Sequence, residues 1–527
     1  MDTTTTIGTP QLSPLPDGWR LTVPLGSSTW SAKRLVFDCF DQWFQVEVEV
    51  EGGGEITDCS LLGSEYTGDV RRGIGFYRSG ARFRSIFNPE PSCLERRCTA
   101  ADVTGSIDVV GSDVPGMQDW FFTPPPFCFG ASPASAPADS SAVSDGPWMM
   151  MGLSVEDGEH HFTRFAYDAV EDGFCLKLAY EGHRRIQGIW RSPAVLFLFD
   201  AEDPYEGIRR YVDVLEMIGQ VPPSVQRIRP RWWARPLFCG WGAQSHLARQ
   251  AVQPAEDFAT EGDYEAFLSH LEARGLKPGT IVIDDKWQAA YGTGEVDPGK
   301  WPDLQGWIQR RHDAGQHVLL WWKAWDAEGI DDELCVRDAL GRPVAVDPSN
   351  PRYEAMLRET IDRLIAEDGI NADGFKIDFT ARTPTGPSLR RHGQAWGTEL
   401  LHRLLEIIYT EAKRIKPDAL IISHTPNPYF RTVTDMIRLN DVNTTHAVLP
   451  QMMHRAKIAR AACPDLLIDP DNWQMPDRAS WRSYLAVQSE IGVPSLYYAS
   501  HVDLTSESFE EGDYAAIAEA WGIAQNP

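Results

Sequence analysis

Eight short apolar runs follow one another between residues 236 and 498: Pro236–Gly240, Thr280–Ile283, His317–Trp321, Gly374–Ile377, Ala419–Ile422, Met436–Leu439, Leu466–Ile468 and Ser495–Tyr498. Between most of them the apolar residues recur with helical spacing, as in Tyr353–Ala366 and Trp396–Ile415. A strand followed by a helix, eight times over, predicts an α/β fold closed into a (β/α)8 TIM barrel. A doubly wound open sheet shares the alternation, but the chain has no Gly-x-Gly-x-x-Gly or Walker loop to serve as its phosphate site.

Upstream the pattern is different. Runs such as Trp43-Phe44-Gln45-Val46-Glu47-Val48-Glu49-Val50 and Ala194-Val195-Leu196-Phe197-Leu198-Phe199 are alternating or β-rich, with Gly, Pro, Asp and Ser between them. They predict an N-terminal antiparallel β-sandwich over residues 1–203. Residues 131–146, rich in Ala, Ser, Pro and Asp, cannot bury a core and are expected to form an exposed loop inside it. Tyr205 to Gly219 has helical spacing and leads into Val221-Pro222-Pro223, so 204–230 reads as a linker helix with a Pro-rich segment, and 231–527 as the barrel. A length of 527 residues agrees with more than one domain.

A formal net charge of −26 repels phosphates over most of the surface, which excludes nucleic acid and suits a neutral or small ligand. Met1-Asp2-Thr3-Thr4-Thr5-Thr6 offers neither a basic nor an apolar leader region, and no stretch holds the roughly 18 apolar residues that span a bilayer; a cytoplasmic chain with no membrane partner is expected. The nine cysteines, at 39, 59, 93, 98, 128, 175, 239, 335 and 463, lack zinc-site spacing and are expected as reduced thiols. There is no His-x-His or His-Glu-x-x-His element, and His160-His161 lies in the β-rich part, so neither a metal nor an organic cofactor is expected. The nineteen tryptophans bear more on function, because indole faces stack on the C–H faces of sugar rings, although most Trp in any protein is core.

The chemistry follows the strands, since a β/α barrel carries its functional side chains at strand carboxyl ends. Gly240-Trp241-Gly242-Ala243-Gln244 comes after the first run, Asp284-Asp285-Lys286-Trp287 after the second and Trp322-Lys323-Ala324-Trp325-Asp326 after the third. The fourth ends in Lys376-Ile377-Asp378, the fifth in Ser423-His424-Thr425-Pro426-Asn427, and the sixth in Arg438-Leu439-Asn440-Asp441. The seventh leads into Asp469-Pro470-Asp471-Asn472-Trp473. Period two puts Lys376 and Asp378 on one face and Phe375, Ile377 and Phe379 on the other. Such a pair is either a candidate nucleophile with its cation or a structural salt bridge. Asp469, Asp471 and Asp326 read equally well as helix N-caps. Seven acidic or aromatic strand ends in succession argue for convergence on one end of the barrel.

In its Asp-Asp-x-Trp at 284–287, its Lys-x-Asp at 376–378 and the order of its other strand ends, the chain resembles the α-galactosidase clan, glycoside hydrolase family 36 and the related family 27, over about residues 230–510. The resemblance implies a retaining exo-α-glycosidase acting on a terminal α-linked sugar by double displacement. It makes Asp378 the nucleophile and Lys376 a contact to sugar hydroxyls that keeps Asp378 ionised. It makes Asp284 and Asp285 ligands of ring hydroxyls and Trp287 a wall of the pocket. The acid/base falls to Asp441 rather than Asp435, which would lie at the opposite end of its strand. Trp241, Trp322, Lys323, His424, Arg438 and Trp473 complete the expected substrate-binding set. In this chemistry one carboxylate attacks while the other protonates the leaving oxygen, with the carboxyls about 5–5.5 Å apart. Lys376 would lower the pKa of Asp378, and an apolar or acidic neighbourhood would raise that of Asp441.

Two lysines depart from the family pattern. Trp321-Trp322-Lys323-Ala324-Trp325 stands where the family has a Phe-Glu-Pro-Glu-like segment, and Lys286 stands where glycine is commoner. Each is either a surface lysine or a reader of a modified or anionic sugar, uronic or sulfonated. A transglycosidase of the raffinose-synthase kind, or a non-catalytic carbohydrate-binding protein on the same fold, would share most of these residues. A chain that ends soon after its eighth run is also expected to leave one barrel flank free for self-association into a homo-oligomer.

Overall fold

The computed structural model describes residues 2–61, 63–67, 70–73, 85–87, 89, 104–108, 124–132, 147–170, 173–225 and 227–522. The first part is antiparallel, as expected, with twelve strands in one hydrogen-bonded sheet. The two layers expected of a sandwich are here continuous, because two 19-residue strands, Trp43–Leu61 and Gly173–Arg191, run through the sheet and pair with each other. Both faces of its centre are buried. Along Ala194–Ala201, Val195 and Phe197 enter a core with Val46, Met151 and Leu176, while Leu196 and Leu198 turn the other way to a second core. That double burial explains why this run is apolar without alternation. Ala131 and Ser132, read from sequence as the start of an exposed loop, are instead buried in the strand Cys128–Ser132. The rest of that segment, 133–146, lies outside the described residues.

Helix α1 (Pro204–Met217) follows at once, with Asp203 capping it by accepting from the backbone N–H of Tyr205 and Glu206 at 2.8 and 2.9 Å. It sinks Ile208, Tyr211, Val212 and Leu215 into the second core, which it shares with the sheet and the barrel.

All eight barrel strands form: β1 (Leu237–Cys239), β2 (Thr280–Ile283), β3 (His317–Lys323), β4 (Gly374–Asp378), β5 (Leu420–Ser423), β6 (Met436–Arg438), β7 (Leu467–Asp469) and β8 (Ser495–Leu496). They pair in parallel in the order β7-β6-β5-β4-β3-β2-β1-β8. Helices cover them, among them α2 (Trp241–Ala251), α3 (Pro351–Ile365), α4 (Gly397–Ile415) and α5 (Val448–Ala462). No helix among the described residues is long and apolar enough to cross a membrane. Among the described residues Cys39, Cys128, Cys239, Cys335 and Cys463 are free thiols.

The ladder breaks only between β7 and β8, where a side chain does the joining. Asn472 donates through Nδ2 to Ser495 O and accepts through Oδ1 from Tyr497 N, both at 3.0 Å, beside one backbone bond from Val493 N to Ile468 O at 2.8 Å. Asn472→Leu keeps the volume but strands two buried backbone groups. It is expected to lower unfolding stability by about 2–5 kcal/mol, read from the urea midpoint; an unchanged midpoint would show that the seam closes without it.

Candidate active site

Five non-glycine residues with positive φ stand just beyond barrel strands: Lys286 (70°), Trp325 (71°), Phe379 (60°), Asn440 (65°) and Asp471 (54°). Left-handed residues turn the chain sharply, cost about 1–3 kcal/mol each and cluster at functional sites. Here they follow β2, β3, β4, β6 and β7, around one end of the barrel.

Asp378 ends β4 with its side chain 19% exposed. Its Oδ2 accepts from Arg438 Nη2 at 3.1 Å and from the Trp321 indole at 3.2 Å. Oδ1 accepts from the N–H of Phe379 at 2.8 Å, with His424 Nε2 3.5 Å away. Burial alone would raise the pKa of Asp378, but Arg438, then His424 and Lys376, outweigh it and hold the carboxyl well below the usual carboxylate range.

Arg438, at the end of β6, is the centre of the cluster. Besides Asp378 it donates through Nη1 to Asp441 Oδ1 at 3.0 Å and to Asp471 Oδ2 at 2.6 Å, and through Nη2 to Asn440 Oδ1 at 2.5 Å. One planar guanidinium thus spans β4, β6 and β7. Two hydrogen bonds and the width of that group keep the bonded oxygens of Asp378 and Asp441 within roughly 8 Å of each other. Burial raises the Asp441 carboxyl most; Arg438 pulls it down, the charges of Asp471 and Asp378 push it up, and the balance leaves it at about 7. Two carboxyls on one guanidinium are therefore shifted in opposite directions, Asp378 down and Asp441 up.

Beside them lies a second group. Lys376 Nζ is 2.6 Å from Asp284 Oδ2, which also accepts from the Cys239 thiol at 2.9 Å, all three side chains being buried. Lys376 is raised despite its burial because Asp284 is so close. Its direct ion pair is with Asp284; it helps to hold Asp378 ionised, as expected from the sequence, but behind Arg438 and His424. Asp285 accepts from the Tyr291 hydroxyl at 2.7 Å, and burial lifts it to about 7 against that bond. The Tyr291 ring carries two ammoniums, Lys286 and Lys323, each 3.8 Å from its centroid. Both lysines have their own carboxylates: Lys323 pairs with Asp326 at 2.9 Å and Lys286 with Glu328 at 2.5 Å. This wall carries no surplus positive charge, because each ammonium is matched.

The remaining expectations divide. Trp287 does not line a pocket; its side chain is fully buried and its indole donates to Trp321 O at 2.8 Å. Trp322 points away from the acids and packs edge-on against Phe375, 5.7 Å between ring centres. The residue on the acids' side is Trp321, itself fully buried, in register with Lys376 on β4 and donating its indole N–H to Asp378. Trp241 and Trp473 are half-buried and meet edge to face at 5.6 Å. Asp471 and Asp326 head turns, not helices: one oxygen of each accepts from the N–H of Trp473 at 2.9 Å or Glu328 at 3.0 Å, and the other pairs with Arg438 or Lys323. Asp435 is structural as expected, buried against Lys413 at 2.8 Å and the N–H of Ile421 at 3.0 Å. Trp321, Tyr291 and Cys239 went unread in the sequence. Period two, counted back from Lys323, would have found Trp321. A cavity of about 440 Å³ lies elsewhere, lined by Gln220, Glu399, His402 and Tyr429 among others, and none of the strand-end acids borders it.

No family model matches the chain. A segment of 83 residues is 31% identical to the myogenesis-regulating glycosidase of Mus musculus, which is 14% of this chain and 12% of that protein. Among solved structures, an uncharacterized protein from Listeria monocytogenes EGD-e in complex with α- and β-D-glucose superposes with a TM-score of 0.60 at 12% identity, over 98% of this chain and 54% of that one. The Thermus thermophilus α-galactosidase in complex with stachyose gives 0.57 at 13%, over 98% of this chain and 100% of that one. The cycloalternan-forming enzyme of Listeria monocytogenes gives 0.57 at 14%, over 97% and 53%. The chain spans about half the length of the two Listeria proteins and a small part of the mouse one. At these identities the solved structures establish a shared fold, one found in glycosidases.

The two adjacent tryptophans of β3 provide a test of the facing. Trp321→Phe removes a donor to Asp378 and is expected to lower turnover of an accepted α-glycoside by about tenfold with little change in stability. Trp322→Ala is expected to cost about 3–5 kcal/mol of stability while the folded fraction keeps its turnover. The reverse pattern would invert the assignment.

Proposed function

We propose that the chain is a retaining exo-α-glycosidase, α-galactosidase-like, with Asp378 as nucleophile and Asp441 as acid/base. The observation that carries this reading is the single guanidinium of Arg438 shared by two carboxyls whose surroundings shift them in opposite directions. A nucleophile has to be a carboxylate and a general acid has to hold a proton. In the first step an Asp378 oxygen bonds the anomeric carbon, the glycosidic bond breaks, and the leaving oxygen takes the proton of Asp441. In the second, Asp441 as carboxylate takes a proton from water, whose oxygen bonds the anomeric carbon and releases Asp378. Trp321, His424 and the N–H of Phe379 hold Asp378 for attack. The buried Lys376–Asp284 pair and the Asp285–Tyr291 pair offer donors and acceptors to ring hydroxyls. The scheme calls on no metal and no organic cofactor.

The matched charges around Tyr291 favour a neutral sugar over a uronic or sulfonated one. A panel of 4-nitrophenyl α-glycosides, neutral and acidic, with the anomer of the first product followed by NMR, tests substrate and stereochemistry together. Retention on a neutral glycoside is expected, and inversion would remove Asp378 from the nucleophile's role. Added acceptor sugar in the same assay separates hydrolysis from transglycosylation by its products. Asp378→Asn is expected to lower kcat by at least about 10³-fold; full activity in that variant would end the proposal.

The pH dependence follows from the two carboxyls. Asp441 is a competent acid below its pKa and loses that proton as pH rises through about 7, so kcat/KM should fall there with a single ionisation. The limb that reports protonation of Asp378 should lie well below the ordinary carboxylate range. Asp285 also sits near 7, so the high-pH limb should vanish in Asp441→Asn and persist in Asp285→Asn. Persistence in the first variant would point to a different acid.

A further inference from the structure

The turn that presents Asp441 is gripped from behind. On α5, Gln451 and Arg455 stand one turn apart on the same face, and both are fully buried. Arg455 Nη1 donates to three consecutive carbonyls, Leu439 O at 2.8 Å, Asn440 O at 2.9 Å and Asp441 O at 2.7 Å. Its Nη2 donates to Gln451 Oε1 at 3.2 Å. Gln451 in turn accepts from Asn443 N at 2.9 Å and donates to Asn443 O at 2.8 Å. The pair thereby fixes the backbone on both sides of Asp441.

Three carbonyls in succession pointing at one atom set their negative ends close together, an arrangement made by the left-handed Asn440 (φ 65°) and opposed by mutual repulsion of the dipoles. A cation at their focus removes that repulsion. Burying a guanidinium costs several kcal/mol, yet α5 brings one here, and burial lowers its pKa only to about 10, so it stays charged at neutral pH. The helix is itself anchored from its other side, where His454 Nδ1 is 2.7 Å from the Tyr205 hydroxyl of α1.

We infer that Arg455, braced by Gln451, is a positioning residue for the acid/base: it acts through the backbone of the turn and sets where the Asp441 carboxyl stands relative to the leaving oxygen. The inference rests on the retaining-glycosidase reading above. Its consequence is selective. Loosening the turn harms proton delivery, for which a displacement of an ångström costs on the order of 10²-fold, and leaves nucleophilic attack by Asp378 intact.

The test compares two leaving groups through kcat/KM, which reports the steps up to the first bond cleavage. Methyl α-D-galactoside expels an alcohol that needs a proton, and 4-nitrophenyl α-D-galactoside expels a phenolate that does not. Arg455→Lys keeps a cation, but its shorter side chain withdraws the donor from the three carbonyls and it lacks the second nitrogen that bonds Gln451. It should lose about 30-fold or more on the methyl glycoside and no more than about threefold on the nitrophenyl glycoside, with Asp441→Asn showing the same selectivity more strongly. Equal losses on both substrates, or none, in a folded Arg455→Lys overturn the inference. Should that variant fail to fold, Gln451→Met must show the selective loss, and a uniform or absent loss there is equally decisive. If Asp441→Asn itself loses equally on both substrates, the glycosidase reading fails and the inference with it, a result distinct from a uniform loss confined to the α5 variants.

Discussion

One buried guanidinium organises this molecule's mouth. Arg438 has strong hydrogen bonds to Asp378, Asp441 and Asp471, and those three acids come from the ends of three strands that are far apart in sequence. Three carboxylates so close would repel one another if all were ionised, and a single arginine neutralises only part of that charge. The imbalance falls on Asp441, whose carboxyl is raised to about 7 by burial and by the charges of Asp471 and Asp378 against the pull of Arg438. Planarity matters as much as charge here, because a fixed fork can hold several oxygens in set directions where a lysine could not. The opposition between the two acids is thus a property of the cluster and belongs to neither residue alone.

The barrel supplies what the cluster needs. Parallel strands in register bring Trp321 level with Lys376 and Lys323 level with Asp378, so alternate residues on β3 and β4 face the mouth while Trp322, Phe375 and Ile377 pack outward. The left-handed residues after five of the strands turn the chain as soon as the functional side chain has been delivered. That backbone strain is tolerated because each turn is pinned, the one at Asn440 by Arg455 and the one at Asp471 through the bond of its side chain to Arg438.

The N-terminal sheet also reaches the chemistry. Its long strand Gly173–Arg191 shifts register between Ala179 and Arg184, where Glu181 (φ 56°) and Gly182 (φ 80°) are left-handed. This bulge brings Glu181 Oε2 to the N–H of Gly386 at 2.9 Å and the His183 ring to Gly386 O at 2.9 Å and to Arg391. Gly386 and Arg391 belong to the segment that follows Asp378. Asn427, after β5, donates to Pro125 O at 2.7 Å. The N-terminal part therefore holds the segments that follow β4 and β5, and α1 holds α5 through Tyr205 and His454.

Local pattern carried much of this into the sequence. Eight apolar runs predicted eight strands to within a residue or two, because a buried parallel strand has to be apolar whatever its neighbours are, and the polar residues at their ends marked which rim holds the acids. Asp378, Asp441, His424, Arg438, Asp284 and Lys376 were all legible as strand-end residues. The choice of Trp322 over Trp321 was not forced locally, since both are tryptophans and only the register of β3 against β4 decides which one faces the acids. The identity of partners was likewise beyond a one-dimensional reading: Lys376 is two residues from Asp378 and yet pairs with Asp284, ninety-two residues away. The sequence alone determined the strands, their order and the acids at their ends, because these follow from periodicity and composition. Tertiary structure alone decided which charge meets which, because Coulomb and hydrogen-bond energies depend on distances of a few ångströms that only the closed barrel defines.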